Sequence, residues 1–153
     1  MLQLVITHEP LALCYESFDE MAKDYYRTTE ASLGVPPLDF NWPHFLTLER
    51  TGHILCMTCR EGGLLIGIVF YIVQMHPQHQ TWKIALCNTL AVAPKFRGKG
   101  IGRRLMECAE PLLRLQGVKR IIHGFRMDAY GTIPTLFDKS GYSISEVAYK
   151  KDL

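Results

Sequence analysis

The sequence predicts a mixed α/β fold of the α+β kind, with one central sheet of about six strands and about four helices. Three observations carry this. Segments with the two-residue repeat of strands and the 3.6-residue repeat of helices follow one another in the order β, α, α, β, β, β, α, β, α, β. Three β-rich runs stand back to back before the glycine-rich stretch "KFRGKGIGRR", with a hairpin signal between the first two. The third is followed by a long amphipathic helix and another strand-like run, and strand, long helix and strand in succession imply a parallel pair joined by a right-handed crossover.

Each element has its own signal. An opening strand is expected at about Gln3 to Thr7. Tyr15, Phe18, Ala22 and Tyr25 then recur at helical spacing, with Met21 and Tyr26 beside them. "LGVPPLDFNWP" breaks that helix with its prolines and glycine, and a short second helix is expected from Pro43 to Arg50, stopped by Gly52. Strands follow at about His53 to Cys59, Leu64 to Gln74 and Trp82 to Val92, with "EGG" as a hairpin turn and "HPQHQ" as the second loop. Ile101, Leu105, Ala109, Leu112 and Leu115 form one helical stripe closed by Gly117, with a kink expected at Pro111. "VKRIIHGF" reads as a buried strand, "TIPTLFDKS" as a short helix and "YSISEVAYKK" as a last strand. No repeat, low-complexity tract or linker divides the chain, so one domain over residues 1–153 is expected.

Composition excludes several function classes. Seventeen Lys and Arg against fifteen Asp and Glu leave a formal charge of +2, too little to read a nucleic-acid protein from bulk charge. The longest apolar run, "GLLIGIVFYIV", is about half of a membrane span. "MLQLVITHEP" lacks the charged lead, apolar core and cleavage site of a signal peptide. A cytoplasmic protein is therefore expected, without a membrane or nucleic-acid partner. Five cysteines and no secretion signal argue for reduced thiols. Cys56 and Cys59 form a CxxC, but on a strand residues three apart point to opposite faces, so no metal site is expected.

The most informative stretch is "LAVAPKFRGKGIGRRL", Leu90 to Leu105. The phosphate loop of nucleotide triphosphatases needs GxxxxGK followed by Ser or Thr, which is not present here. The dinucleotide fingerprint needs a third glycine where Leu105 stands. What remains is Arg97, Gly100 and Gly102 between a strand and a helix, which suits a pyrophosphate. Small residues let the backbone approach, several amides point outward, and the helix N-terminus adds partial positive charge. Arg97, Lys99, Arg103 and Arg104 would be unfavourable to the helix dipole without an anion. The competing explanation is a tight turn whose basic residues are simply solvated.

With those residues in view, the chain resembles the GNAT superfamily of acyl-CoA-dependent N-acetyltransferases. Arg97-Gly98-Lys99-Gly100-Ile101-Gly102 matches its Q/R-x-x-G-x-G/A motif, "LAVAP" the end of its fourth strand, and "LFDKSGY" its late "lYeklGF" segment. The resemblance spans about Leu2 to Tyr149, is strongest from Thr89 to Tyr142 and weakens before His53. It implies a GNAT fold with a splayed strand pair, acetyl-CoA as acyl donor, and direct attack of an amine on the thioester in a ternary complex. It implies that the amides of Gly98, Lys99, Gly100, Ile101, Gly102 and Arg103 hold the pyrophosphate. Leu90, Ala91 and Val92 would pair with the pantetheine arm as an added strand, the amide near Leu90 serving as oxyanion donor.

Two departures from the family pattern follow. Many members carry a glutamate base on the fourth strand, whereas "KIALCNTLAV" has no carboxylate, and Asn88 can orient a water or the amine but cannot take its proton. Histidines are the replacement candidates: His123 on the fifth strand, and His76 or His79 on the loop entering the fourth. Each competes with an ordinary core or solvated histidine. The family's tyrosine acid is replaced by Phe137, which would then line the pantetheine, and Tyr130 or Tyr142 would be the substitute acid. A seventh strand seen in many members is missing or supplied by another chain, and a homodimer would cover the exposed edge.

The acceptor is expected to be an amine of a small molecule or protein. Its wall would come from "YYRTTEASLGVPPLDFNWPHF", where Tyr25, Tyr26, Phe40 and Trp42 offer aromatic faces. Two other readings stand beside this one. A catalytically weak or inactive CoA-binding module would explain the missing glutamate and tyrosine. Nucleic-acid binding would explain the charge of "KFRGKGIGRR" but not its glycine spacing.

Overall fold

The computed structural model describes residues 3–125 and 135–153. The elements run β1 (Leu4–His8), α1 (Leu11–Tyr25), α2 (Trp42–Arg50), β2 (Ile54–Glu61), β3 (Leu64–His76), β4 (His79–Val92), α3 (Ile101–Leu115), β5 (Val118–His123) and α4 (Thr135–Lys139). One sheet orders the strands β1-β2-β3-β4-β5. The first three pairings are antiparallel and the last, β4 with β5, is parallel. The α3 crossover between β4 and β5 makes that parallel pair possible, as the strand–helix–strand pattern requires.

Helices cover both faces of the sheet. On one, Leu11, Cys14, Phe18 and Ala22 of α1 bury against Ile54, Cys56, Ile68 and Phe70. On the other, Ile101, Leu105, Ala109 and Leu113 of α3 bury against Leu55, Met57, Cys59, Val69 and Tyr71. Cys56 and Cys59 thus fall on opposite faces, as their strand spacing demands. Among the described residues, no three or more His, Cys, Asp or Glu side chains are grouped to hold a metal ion. No described helix is long and apolar enough to cross a membrane.

Glycine67 marks the closest approach between helix and sheet. A bulge where Cys59 pairs with Gly67 and Arg60 with Leu65 leaves Ile66 as an extra residue, and Ile66 and Gly67 both face α3. A Cβ on Gly67 would stand 3.0 Å from Ile101 Cγ2 and 3.2 Å from Leu105 Cδ1. Gly67→Ala should therefore destabilise the fold by about 1 kcal/mol, although alanine is otherwise the better strand residue. Equilibrium unfolding in urea reads this directly, and a more stable variant would show that α3 yields without cost.

The structure departs from the sequence expectations in three places. The "HPQHQ" loop shrinks to Pro77 and Gln78, because His76 pairs with His79 and extends the β3–β4 ladder to the turn. Beyond Tyr25 the chain continues through a wider π-type turn (Tyr26–Glu30) and a 3-10 turn (Ala31–Leu33) that ends at Gly34 with φ 70°. The sixth strand is absent: residues 143–153 have no regular structure, and Ile144, Val147 and Tyr149 are exposed. Alternation records which residues could share a face, but a strand also needs an edge to pair with, and among the described residues β5 has no outer neighbour in this sheet. The helix α3 runs as one element through Pro111.

Candidate functional site

The site begins at a break in strand pairing. Thr89 pairs with Phe70 and Cys87 with Tyr71, so Asn88 is an extra residue, a β-bulge in β4. On the other edge of β4, pairing with β5 ends at Cys87 opposite His123. From Asn88 to Val92, β4 therefore has a strand neighbour on one side only among the described residues. A cavity of about 590 Å³ opens in the gap, lined by β4 from Cys87 to Val92, by His123, Gly124 and Phe125, and by Leu136 and Phe137 of α4.

The backbone of β4 faces this gap in a defined way. Ala93 N–H donates to the Ile66 carbonyl at 2.9 Å, which continues the β3 ladder. In an antiparallel ladder hydrogen-bonded residues alternate, so Ala91 and Thr89 spend their backbone groups on β3, and Leu90 and Val92 direct theirs to the open side. Arg97 Nε already donates to the Val92 carbonyl at 2.9 Å. Leu90 is left presenting an amide and a carbonyl to the cavity.

The glycine-rich turn closes one end. Gly98 and Gly100 have φ of 74° and 76°, which side-chain-bearing residues rarely adopt, and a Cβ on either would meet nothing within 4 Å. Gly100 is the N-cap of α3 and brings no side chain to the first turn, so the amides of Ile101, Gly102 and Arg103 lack intrahelical partners. Ile101 itself is a core residue, only 2% exposed, and offers the turn its amide alone. Gly102 lines the cavity. The basic residues are less available than their sequence suggests. Arg103 pairs with Glu107 at 2.7 Å, Arg97 lies 5.8 Å from the Tyr25 ring centre, and Lys99 lies 5.1 Å from that of Phe96. What this turn could offer an anion is its backbone amides first.

The family model described as "Acetyltransferase (GNAT) family" matches residues 15–133. The chain belongs to that family. No curated protein matches it. Among solved structures, an acetyltransferase of Trypanosoma brucei is 19% identical, with 99% of this chain and 100% of that one covered at a TM-score of 0.70. Glucosamine-6-phosphate N-acetyltransferase from Arabidopsis thaliana is 15% identical, with 97% of each chain covered and a TM-score of 0.70. A predicted acetyltransferase with acetyl-CoA from Clostridium acetobutylicum is 10% identical, with 98% of this chain and 96% of that one covered and a TM-score of 0.75. At these identities the likeness is one of fold, and the five-stranded mixed sheet with its helices is a GNAT fold.

Within this GNAT chain Gly98, Lys99, Gly100, Ile101 and Arg103 belong to the turn beside the cavity without lining it. Asn88, Leu90, Ala91, Val92, Arg97, Gly102, His123 and Phe137 all line the one cavity. His79 and His76 do not. They close the far end of the β3–β4 hairpin, nine residues from Asn88, which is roughly 30 Å of strand. There they pack on each other and on Trp82. Tyr130 lies outside the described residues. Tyr25 and Phe40 line the cavity, whereas Trp42 stacks beneath Phe40 at 4.8 Å and Tyr26 donates its hydroxyl to the Val35 carbonyl.

The electrostatics around the splay favour neutral groups. The His123 ring sits among Tyr71, Phe137 and Tyr142, with its Nε2 3.3 Å from the Tyr71 hydroxyl, and burial lowers its pKa to about 4. Burial pushes the Cys87 thiol up to about 12 and raises the Tyr71 and Tyr142 phenols. The expectation of a base at His123 loses its energetic ground. Moving a proton from an alkylammonium of pKa about 10.4 to such an imidazole would cost about 9 kcal/mol. The sequence marks this strand as buried, but its spacing carries no sign of the aromatic neighbours that enclose the ring. The remaining wall, Met21, Tyr25, Leu38 and Phe40 with Phe18 and Ala22 behind, is apolar or aromatic, and Glu30 is the one carboxylate among the described lining residues.

Proposed function

We propose that this chain transfers an acetyl group from acetyl-CoA to the nitrogen of an amine by direct attack within a ternary complex. The observation that carries the reading is the bulge at Asn88, which ends the β4–β5 pairing and turns the Leu90 amide into the same cavity that Gly102 and the amide-rich turn close. The amides of Gly98 to Arg103 would hold the pyrophosphate, and the free edge of β4 from Leu90 to Val92 the pantetheine arm. The Leu90 amide would then face the thioester carbonyl oxygen, where negative charge develops as the amine attacks. Asn88, exposed beside it, would orient the incoming amine. Phe137, packed on His123 at 5.3 Å between ring centres, would form an apolar wall to the pantetheine and supply no proton. A thiol near pKa 8.5 leaves readily as thiolate, so an acid there is dispensable.

Acetyl-CoA at 100 times its dissociation constant should stabilise the protein by about 2.7 kcal/mol. With a panel of amines it should release CoA thiol. Absence of both would overturn the reading. A thermal shift without turnover on any amine would favour the inactive binding module.

A further inference from the structure

The acceptor half of the cavity differs in character from the turn that closes the other end. Met21 and Tyr25 from α1, and Leu38 and Phe40 from the segment before α2, line the same cavity as Asn88 and Leu90. We infer that the acceptor is an amine of low basicity carried on an apolar body, an α-amino group beside a hydrophobic side chain, which enters the site as its free base. This rests on the acetyl-transfer reading above.

Two features of the site support the inference. Among the described residues, the wall offers contact area to an aromatic or aliphatic body and no set of charges for a polycation or a sugar phosphate. Arg97, the one arginine among the described lining residues, donates to the Val92 carbonyl and lies 5.8 Å from the Tyr25 ring centre. Second, the titratable groups facing the splay are poorly placed to take a proton from an ammonium. On β4 Cys87 stays a thiol, on β5 His123 is a feeble base, and Tyr71 and Tyr142 behind it stay phenols. Among the described lining residues, Glu30, from the turn after α1, is the remaining acidic group, and Arg97 the remaining basic one. An amine that arrives unprotonated needs none of them. Its nitrogen forms the new bond to the acetyl carbon, the carbon–sulfur bond breaks, and the nitrogen's proton passes through water to the departing CoA thiolate.

Free base is far commoner for α-amino groups, of pKa about 7.7–8.0, than for alkylamines near 10.4. At pH 7 the ratio of free-base fractions is on the order of 10². The test compares L-phenylalanine amide with 2-phenylethylamine, which share one apolar body, by CoA thiol release from pH 7 to 10. A short peptide beginning with phenylalanine and glucosamine-6-phosphate complete the set. L-phenylalanine amide or the peptide should exceed 2-phenylethylamine in kcat/KM by roughly 10- to 100-fold at pH 7, and the advantage should shrink to about fourfold or less by pH 10. Which of the two is preferred identifies the source as a free metabolite or a chain terminus. Equal rates at pH 7, or preference for 2-phenylethylamine, would overturn the inference, and loss of that preference in Glu30→Gln would name Glu30 as the base instead. Preference for the sugar phosphate would also overturn it, as would no turnover of any of the four while acetyl-CoA still raises Tm. If acetyl-CoA does not bind at all, the acetyl-transfer reading fails first.

Discussion

Gly102→Val should leave a folded protein that acetyl-CoA no longer stabilises. Gly102 lies in the first turn of α3, and an added Cβ would sit 3.9 Å from Leu90 Cδ1, Val92 Cγ2 and Leu136 Cδ2, ordinary contact distances. The free protein therefore has room for the first carbon, and valine's two further methyls must extend over the amides that the turn presents. The wild-type shift at saturating acetyl-CoA, about 2.7 kcal/mol at 100 times the dissociation constant, corresponds to about 5–10 °C for a chain of this size. In the variant the shift should disappear, while the Tm without ligand moves by no more than about 3 °C. Gly102→Ala, two carbons smaller than valine, should retain part of it. A folded Gly102→Val protein with an undiminished shift would place the pyrophosphate elsewhere.

The route from sequence to this site was readable where the signal is local. Ile101, Leu105 and Ala109 announce α3 through their spacing, and Gly98, Gly100 and Gly102 announce a backbone that something must approach. Both are properties of a single segment. The bulge at Asn88 is a relation between β3 and β4, so no pattern within β4 alone reveals it. The cap on α1 is similar: its own N-terminus has no capping side chain, and the Glu49 carboxylate from α2 accepts the amides of Leu11 and Ala12 from 37 or more residues away. Glu9 likewise accepts from Thr58 and Arg60 across β2.

The misplaced histidines show the same boundary. A long "HPQHQ" loop would bring His76 and His79 within reach of the reaction, but a two-residue turn fixes them at the far end of a long hairpin. The basic cluster at the glycine turn overstated its free charge because Arg103 meets Glu107 one helical turn on, a pairing that the i, i+4 spacing did announce. His123 was placed correctly beside the splay, yet its chemistry depends on three aromatic neighbours drawn from β3, α4 and the segment after α4. Position was legible in the sequence, and environment was not.

That environment has a measurable consequence for stability. The native His123 pKa of about 4 lies below the ordinary 6.5 because burial disfavours the imidazolium. Above pH 6.5 the ring is neutral in both the folded and unfolded chains, and it contributes no pH dependence. As pH falls from 6.5 to 4 the unfolded chain takes up a proton that the folded one refuses, so stability is lost across that window and levels off below it. The full shift corresponds to about 3 kcal/mol, and partial solvation of the ring makes about 2 kcal/mol the better expectation. Other groups titrate in the same range, Glu9 among them, whose carboxyl Arg60 and Thr58 hold below its usual pKa. The measurement is therefore a double difference. Urea unfolding of wild type and His123→Gln at pH 7 and pH 4 should show wild type losing about 2 kcal/mol more than the variant, whatever packing the substitution itself removes. Equal losses would mean that the ring is solvated in the folded chain, and His123 would then regain the basicity a proton acceptor needs.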